Sequence, residues 1–328
     1  MNMPRRVLIL AAVAFLLALP AVLFLDSSWA QTTIRVGVPA SQTGAIPIHI
    51  GVRKGIFAKY GLKVEPIVIP NGRVNINALI SGSTEFINGS SPELFFVGEH
   101  GGDIVGLGSW DDSSPYDLVS REKIQSLKEL KGKRLSAGGF LDKSHLFLRL
   151  LLAREGLEAG KDAELIFIGG SSARLGMLAS GKIDAAPSAP EFGRRAEKLG
   201  LQVIPIKMAY TKGLITTRKS YVANNRATVK AYLNGYMESV RYLIKNKEDS
   251  IQIMAQVFRL QDKEVLDYAY NALKSNAQPD LYPSEEGIRN VLRTMAYEDP
   301  RFAAVPPFKH LDLSLIDELR SSREAQAR

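Results

Sequence analysis

Leu79-Ile80-Ser81-Gly82-Ser83-Thr84-Glu85 and Leu178-Ala179-Ser180-Gly181-Lys182-Ile183-Asp184 stand 99 residues apart, and their match decides the fold. Each closes a helical pattern on a leucine, turns on a glycine and reaches an acid at the edge of the next apolar stretch. Sliding the chain on itself by the same offset, without gaps, lays Arg35 on Arg134, Gly61 on Gly160 and Glu65 on Glu164, with Ile67 and Ile69 on Ile166 and Ile168. The matches keep the same order of strand and turn signals, which marks an internal structural repeat.

Working outward, each copy reads as strand, loop, helix, strand, loop, helix, strand. In the first, residues 34–38 and 64–69 form strands, 46–60 a helix, and Ile76, Leu79 and Ile80 one face of a second helix. In the second, strands are expected at 134–137 and 163–168 and helices at 144–154 and 172–180. Strands alternating with helices at this spacing give parallel βαβ units, so the fold class is α/β with two doubly wound lobes. Asp117-Leu118-Val119-Ser120-Arg121 and Gly213-Leu214-Ile215-Thr216-Thr217-Arg218 resemble each other and read as a double crossover hinge. The expected organisation is residues 31–118 and 214–328 for the first lobe and 119–213 for the second. Beyond the repeat the chain turns helical. Val229, Leu233, Tyr236, Met237, Val240 and Ile244 keep helical spacing behind a capping Asn224 or Asn225, and Ile288, Val291, Leu292 and Met295 do so behind Ser284. These helices are expected to pack on the first lobe.

Residues 1–30 read as an export signal peptide: Arg5 and Arg6 precede an apolar run over 7–25, broken only by Pro20, and Ser28 and Ala30 place cleavage near Ala30-Gln31. The apolar run is also close to spanning length, which leaves an uncleaved anchor as the alternative. The chain has no cysteine, so it offers no disulfide, no thiolate metal site and no lipid-modified cysteine, and a released periplasmic protein is expected. Without the leader the balance is +7, from 40 Lys and Arg against 33 Asp and Glu. That charge is scattered, with no basic run interleaved with aromatics, and nucleic acid is not an expected partner; an anionic solute is compatible with it. His49, His100, His145 and His310 do not converge at ligand spacing, so no metal is expected. The chain also lacks a nucleophile elbow, a phosphate loop and a dinucleotide glycine fingerprint, and neither catalytic residues nor a cofactor are expected.

Pro47-(x)3-Gly51-(x)2-Lys54-Gly55-Ile56-Phe57-(x)3-Gly61-Leu62-(x)-Val64 resembles the amino-terminal signature of the nitrate, sulfonate, taurine and thiamine-precursor group of ABC-importer substrate-binding proteins. Leu79-(x)-Ser81-Gly82 with Glu85, Leu127-(x)2-Leu130-Lys131-Gly132-Lys133-Arg134 and Ser180-Gly181-Lys182-Ile183-Asp184-Ala185-Ala186 continue the resemblance in order, over roughly residues 33 to 220. It implies the type II periplasmic-binding fold, a monomer that binds without catalysis, and partner permease and ATPase components at the inner membrane. The implied ligand is a small anionic or zwitterionic solute of the nitrate, sulfonate, taurine, pyrimidine or aromatic-acid type. A related enzyme subgroup carries a cysteine-rich motif, which this chain lacks. A ligand-sensing periplasmic module for a sensor kinase or chemoreceptor is the second reading. An exported enzyme is the third, and it would need a convergent acid, base or nucleophile.

Open parallel sheets bind ligands outside the carboxyl ends of their strands. The offset pairs the loops there. Ser41, Gln42 and Thr43 face Gly139, Phe140, Lys143 and Ser144; Asn71-Gly72 faces Gly170-Ser171; Asn88, Gly89, Ser90 and Ser91 face Ser188 and Glu191. Ser90-Ser91-Pro92 opens a helix whose free N–H groups attract an anion, and the Gly138-Gly139 loop leading to Ser144 does the same from the other side. Ser91 and Ser144 could equally serve only as helix caps. Trp110 and Phe140 could wall the cleft, with core packing as the alternative for Trp110. Lys143 and Glu191 suit the two charges of a zwitterion, or else a solvated surface.

Overall fold

Two five-stranded sheets, each backed by helices, carry the two halves of the repeat. The computed structural model describes residues 31–39, 42–69, 72–112, 114, 116–139 and 142–327; the expected leader lies outside them. The first sheet contains β1 (Thr32–Pro39), β2 (Leu62–Ile69), β3 (Phe86–Ser90), β4 (Val105–Gly108) and β10 (Gly213–Thr217), in the order β2-β1-β3-β10-β4. The second contains β5 (Asp117–Ser120), β6 (Arg134–Ala137), β7 (Glu164–Phe167), β8 (Ala185–Ser188) and β9 (Gln202–Ile204), in the order β7-β6-β8-β5-β9. In each, three strands of one repeat copy run parallel, and one antiparallel strand is inserted beside the third: β10 against β3 and β5 against β8.

The residues that matched at the offset build the same device twice. Arg35 sits on β1, and its Nη2 donates to Glu85 Oε1 at 2.7 Å and to the Gly82 carbonyl at 3.2 Å, while its backbone N–H donates to Glu85 Oε2 at 2.7 Å. On β6, Arg134 Nη2 donates to Asp184 Oδ1 and to the Gly181 carbonyl, both at 2.8 Å, and its N–H donates to Asp184 Oδ2 at 2.9 Å. Each fork clamps the first strand to the turn before the third, using the planar guanidinium that fits a carboxylate. The arginines closing the inserted strands repeat the theme: Arg218 Nη1 donates to the Thr84 carbonyl at 3.1 Å, and Arg121 Nη2 to Asp184 Oδ1 at 3.4 Å.

The expected hinge segments are these inserted strands themselves. The chain crosses between sheets just before each, over residues 109–116 and 205–212. Pairing of Asp117 with Ser188 and of Gly213 with Ser90 ends each crossing at the first ladder position, so Asp117 and Leu118 belong to the second sheet and Gly213 to the first.

The helix expected over 46–60 stops at Arg53; Gly55 turns at φ +63° and a short 3₁₀ segment, Phe57–Tyr60, follows. This break drops Phe57 into the core against Tyr232 of the helix Arg226–Lys245, with ring centroids 5.5 Å apart. Side chains at Gly51 or Gly235 would overlap the Phe57 ring, so those glycines leave the room it needs. Ser284 caps the helix Glu285–Ala296 by accepting from Gly287 N at 2.9 Å. The carboxy-terminal helices do not dock on the first lobe alone. Arg149 of the second lobe pairs with Glu298, and Lys198 pairs with Asp262 at 2.7 Å. Their apolar faces argue for the first core; the acids at their ends bring them to the basic rim of the other.

Arg134 holds Asp184 well below the usual carboxylate range, chiefly through its side-chain hydrogen bond. A depressed folded-state value contributes stability that is present above about pH 4 and lost as pH falls below it. Asp184→Asn should therefore flatten the acid limb of urea-unfolding stability against pH. Arg134→Ala should lower stability at pH 7 by only a modest amount, because solvent screens this partly exposed pair. An acid limb unchanged in both variants would remove the fork from the stability account.

Candidate ligand cleft

At the carboxyl end of the first sheet, several polar side chains are already engaged. Asn88, 6% exposed, donates from Nδ2 to the Gly44 carbonyl and to the Tyr236 hydroxyl at 3.1 Å, tying the loop after β1 to the helix Arg226–Lys245. Gly89 is buried beside it. Ser91 is fully buried, and its hydroxyl donates to the Thr211 carbonyl on the second crossing. That hydroxyl fastens the helix start to the second crossing. Ser90 lies on β3 opposite Gly213, and Gln42 and Thr43 lie on a 3₁₀ turn; the described structure gives only their backbones. Ser41, Asn71 and Phe140 lie outside the described residues.

The second sheet presents a different cap from the expected one. Asp142, not Ser144, caps the helix Lys143–Arg154, accepting from His145 N at 2.9 Å and from the Ser144 hydroxyl at 2.7 Å. Ser144 in turn accepts from Gly138 N at 2.7 Å, which pins the Gly138-Gly139 turn to the helix start. An aspartate at this position outcompetes a serine because a charged acceptor makes the stronger bond to N–H groups. Lys143 is part-buried and makes no ion pair among the described residues; burial lowers its pKa from the ordinary lysine value, and the opposing charge acting most strongly on it is Glu93. The Ser188 hydroxyl is buried without a hydrogen-bond partner among the described residues. Glu191 lies on the short 3₁₀ segment Pro190–Phe192, of which only its backbone is described.

Two functional candidates escaped the sequence reading. Arg174, 3% exposed, donates from Nε to the Pro187 carbonyl at 3.0 Å and from Nη1 to the Ile168 carbonyl at 3.2 Å, holding together the loops that leave β7 and β8. No carboxylate pairs with it among the described residues, and burial pushes its pKa below the usual arginine value. The available signal was the offset itself: Arg174 falls opposite Asn75, and both are buried polar groups on otherwise apolar helix faces. The second candidate is Glu93, in the first turn of the helix Ser91–Glu99; its Oε2 is buried and lacks a hydrogen-bond partner among the described residues.

The crossings are laced to each other. Asp111 pairs with Lys212, Thr211 Oγ1 donates to Asp112 Oδ1 at 2.6 Å, and Ser109 Oγ donates to the Gly213 carbonyl at 2.8 Å. Trp110, between them, is 3% exposed in the first lobe's core, so its ring is packing rather than a cleft wall. Beside the crossings opens a cavity of about 500 Å³, lined among others by Asp117, Pro190, Ile206, Lys212, Tyr268 and Asn276. Burial raises the pKa of Asp117 to about 6, against hydrogen bonds from the Ile206 N–H and the Tyr268 hydroxyl and the nearby charge of Lys212. The cavity thus lies between the crossings, the start of β5 and the helix Lys263–Asn276, with room for a small polar solute.

Residues 42–250 match the protein family described as NMT1/THI5 like. A candidate binding protein of Brucella abortus strain 2308 is 25% identical over 293 residues, covering 85% of this chain and 86% of its own length. A protein of Bordetella bronchiseptica superposes with a TM-score of 0.75 at 18% identity, over 90% of this chain and 99% of that one. The periplasmic aliphatic sulphonate binding protein of Escherichia coli gives 0.67 at 19% identity, over 86% and 91%. These likenesses establish the two-lobed periplasmic-binding fold for this chain.

Asp117 binds its proton more tightly in the folded chain, at about 6, than it would unfolded. Its contribution to stability is then fully present below about pH 4 and is lost as pH rises toward 6, at roughly 1.4 kcal/mol per unit of difference. Asp117→Asn should be more stable than wild type at pH 7.5, with the gap closing as pH falls to 4. A gap independent of pH in chemical denaturation would contradict this.

Proposed function

The chain belongs to the NMT1/THI5-like family, and on that premise we propose that it is the extracytoplasmic solute-binding protein of an ABC importer, taking a small anionic or zwitterionic solute between its lobes. The observation that carries the reading is the pair of similar sheets, each with three parallel strands of one repeat copy and one inserted strand, joined through two crossings laced by Asp111 with Lys212 and by Thr211 with Asp112. Such a geometry binds by closing, because a solute touches both lobes only when they meet, and it therefore shifts a hinge equilibrium. The aliphatic sulphonates bound by the Escherichia coli protein of the same fold make an acid group on the solute the natural starting point.

In this reading the protein acts as a monomer in the periplasm, released after cleavage near Ala30-Gln31, and delivers its cargo to a permease and ATPase pair. It binds without turnover. The raised carboxyl of Asp117 receives hydrogen bonds from both sides at the crossing, which suits a structural acid.

Native mass spectrometry of freshly purified protein should find a retained small solute. Adding that solute back to protein stripped by unfolding and refolding should shrink the radius of gyration in small-angle scattering. Saturation should also stabilise the fold, by about 2.7 kcal/mol at a hundredfold excess over Kd. Absence of any retained solute, together with no compaction or stabilisation across nitrate, sulfonates, amino acids and aromatic acids, would overturn the receptor reading.

A further inference from the structure

Two carboxy-terminal helices grip both sheets from opposite sides. Neighbouring residues on a strand point to opposite faces of its sheet. In the first sheet, Phe86 and Ile215 share a core with Leu266, Ala269 and Leu273 of the helix Lys263–Asn276. Their strand neighbours Ile87 and Leu214 share another with Ile288, Val291 and Met295 of the helix Glu285–Ala296. The second sheet is divided in the same way. Leu118 and Ala185 lie in a core with Leu148 and Leu152 of the helix Lys143–Arg154, and Val119 and Ala186 in one with Ala196 of the helix Gly193–Lys198. Each carboxy-terminal helix thus covers one face of the first sheet and reaches a helix on one face of the second.

The contacts at those ends join acids from the carboxy-terminal helices to bases of the second lobe. Arg149 pairs with Glu298, just beyond the helix Glu285–Ala296, and its guanidinium also lies over the Tyr297 ring, 5.8 Å from the centroid. On the other flank Lys198 pairs with Asp262 at 2.7 Å and with Glu264 at 3.3 Å, and Arg194 pairs with Glu264 at 3.4 Å. A side chain at Gly193 would overlap the Tyr268 hydroxyl, so this glycine sets how closely the two elements approach. Between the two helices, the chain is tied to the first crossing. Gln278 N–H donates to the Trp110 carbonyl at 2.6 Å, Ser109 N–H to the Leu281 carbonyl at 2.8 Å, and Ser284 N–H to Asp112 Oδ2 at 2.9 Å. Leu281 is fully buried at φ +57°, a conformation that a leucine keeps only where its surroundings hold it. Helix, strap and helix therefore form one yoke astride the hinge.

Resting on the hinged receptor reading above, we propose that this yoke is an ionic clasp, which holds the two lobes together and sets their resting angle before a solute arrives. Opening the cleft swings the second lobe away from helices that apolar packing anchors to the first. The apolar cores stay whole in that motion, and the ion pairs are what must separate. Attraction across a moving boundary biases the equilibrium by its own strength. The Arg149 flank is part-buried and the firmer of the two; the flank of Arg194 and Lys198 is exposed and open to screening by salt. Apparent affinity for a solute then depends on residues that never touch it, because only the fraction of molecules able to close binds with both lobes.

The chain has no cysteine, so Lys63→Cys and Glu164→Cys can carry a dye pair. Both positions are exposed, on the edge strands β2 and β7, at the opposite sheet edge from β4 and β9, where the chain leaves for the crossings. Energy transfer between the dyes, measured on single molecules without solute, reads the separation of the lobes. Arg149→Glu should lengthen it, as should Arg194→Ala combined with Lys198→Ala, each by raising the open-to-closed ratio about two- to fivefold. The exchange of Arg149→Glu with Glu298→Arg should restore the parent distance. Salt at about 1 M, where charges are screened beyond roughly 3 Å, should lengthen the parent's separation and move the Arg194 and Lys198 double variant less. An unchanged or shorter separation in the charge variants, or an exchange variant that stays as open as Arg149→Glu, would overturn the clasp. Thermal melts identify a variant that fails to fold; the salt series on the parent then decides, and a separation that does not rise overturns the proposal. No solute enters this measurement, so the clasp can fail while the receptor reading stands on its own test of retained solute.

Discussion

Everything that faces the cleft depends on an arginine gripping a carboxylate at the far end of each sheet. Arg35 with Glu85 and Arg134 with Asp184 tie together the three parallel strands of each mixed sheet at the end away from the cleft, and each also takes the carbonyl of the glycine in the preceding turn. A parallel sheet has all its strand-to-helix loops at one end, so fixing the other end leaves those loops free to serve a ligand without loosening the strand order. The forks are partly exposed, which limits their direct energetic worth, but their bidentate geometry makes them specific. They set which strand lies beside which turn, and the inserted strands β5 and β10 then take the remaining edge through Arg121 and Arg218.

Between the sheets, polarity is used first for connection. Ser91 and Asn88 read as ligand groups in sequence, and Ser109, Asp112 and Thr211 on the crossings are likewise small and polar. In the folded chain their hydrogen bonds run to the crossings or between loops. A buried polar group must be satisfied, and where two chain segments pass from one lobe to the other, their own backbone carbonyls are the nearest partners. Binding capacity is left to the groups these ties do not consume.

Arg174 and Glu93 illustrate two ways of carrying a buried charge. Arg174 spreads its charge over three carbonyls and so becomes a brace for the loops above it. Glu93 keeps an oxygen without a hydrogen-bond partner among the described residues, which costs folding stability.

The sequence by itself determined the repeat, the α/β class, the two-lobe plan and one helix cap, whereas Asn225 precedes its helix without a side-chain cap bond. Those rest on local periodicity and on the chain's similarity to itself: Ser284 caps its helix, and Leu79 to Glu85 and Leu178 to Asp184 end theirs at equivalent turns. It also brought out the arginines and acids of both forks, as matches at an offset of 99, without revealing that they touch. Tertiary structure alone decided where the chain crosses between sheets, that Trp110 is core, that Asp142 rather than Ser144 caps its helix, and that Ser91 serves the hinge. It alone left Glu93 and Lys143 without an ion pair among the described residues. The physical reason is that a residue's propensity is local, whereas the satisfaction of its polar atoms depends on which distant carbonyl or charge the fold brings within about 3 Å.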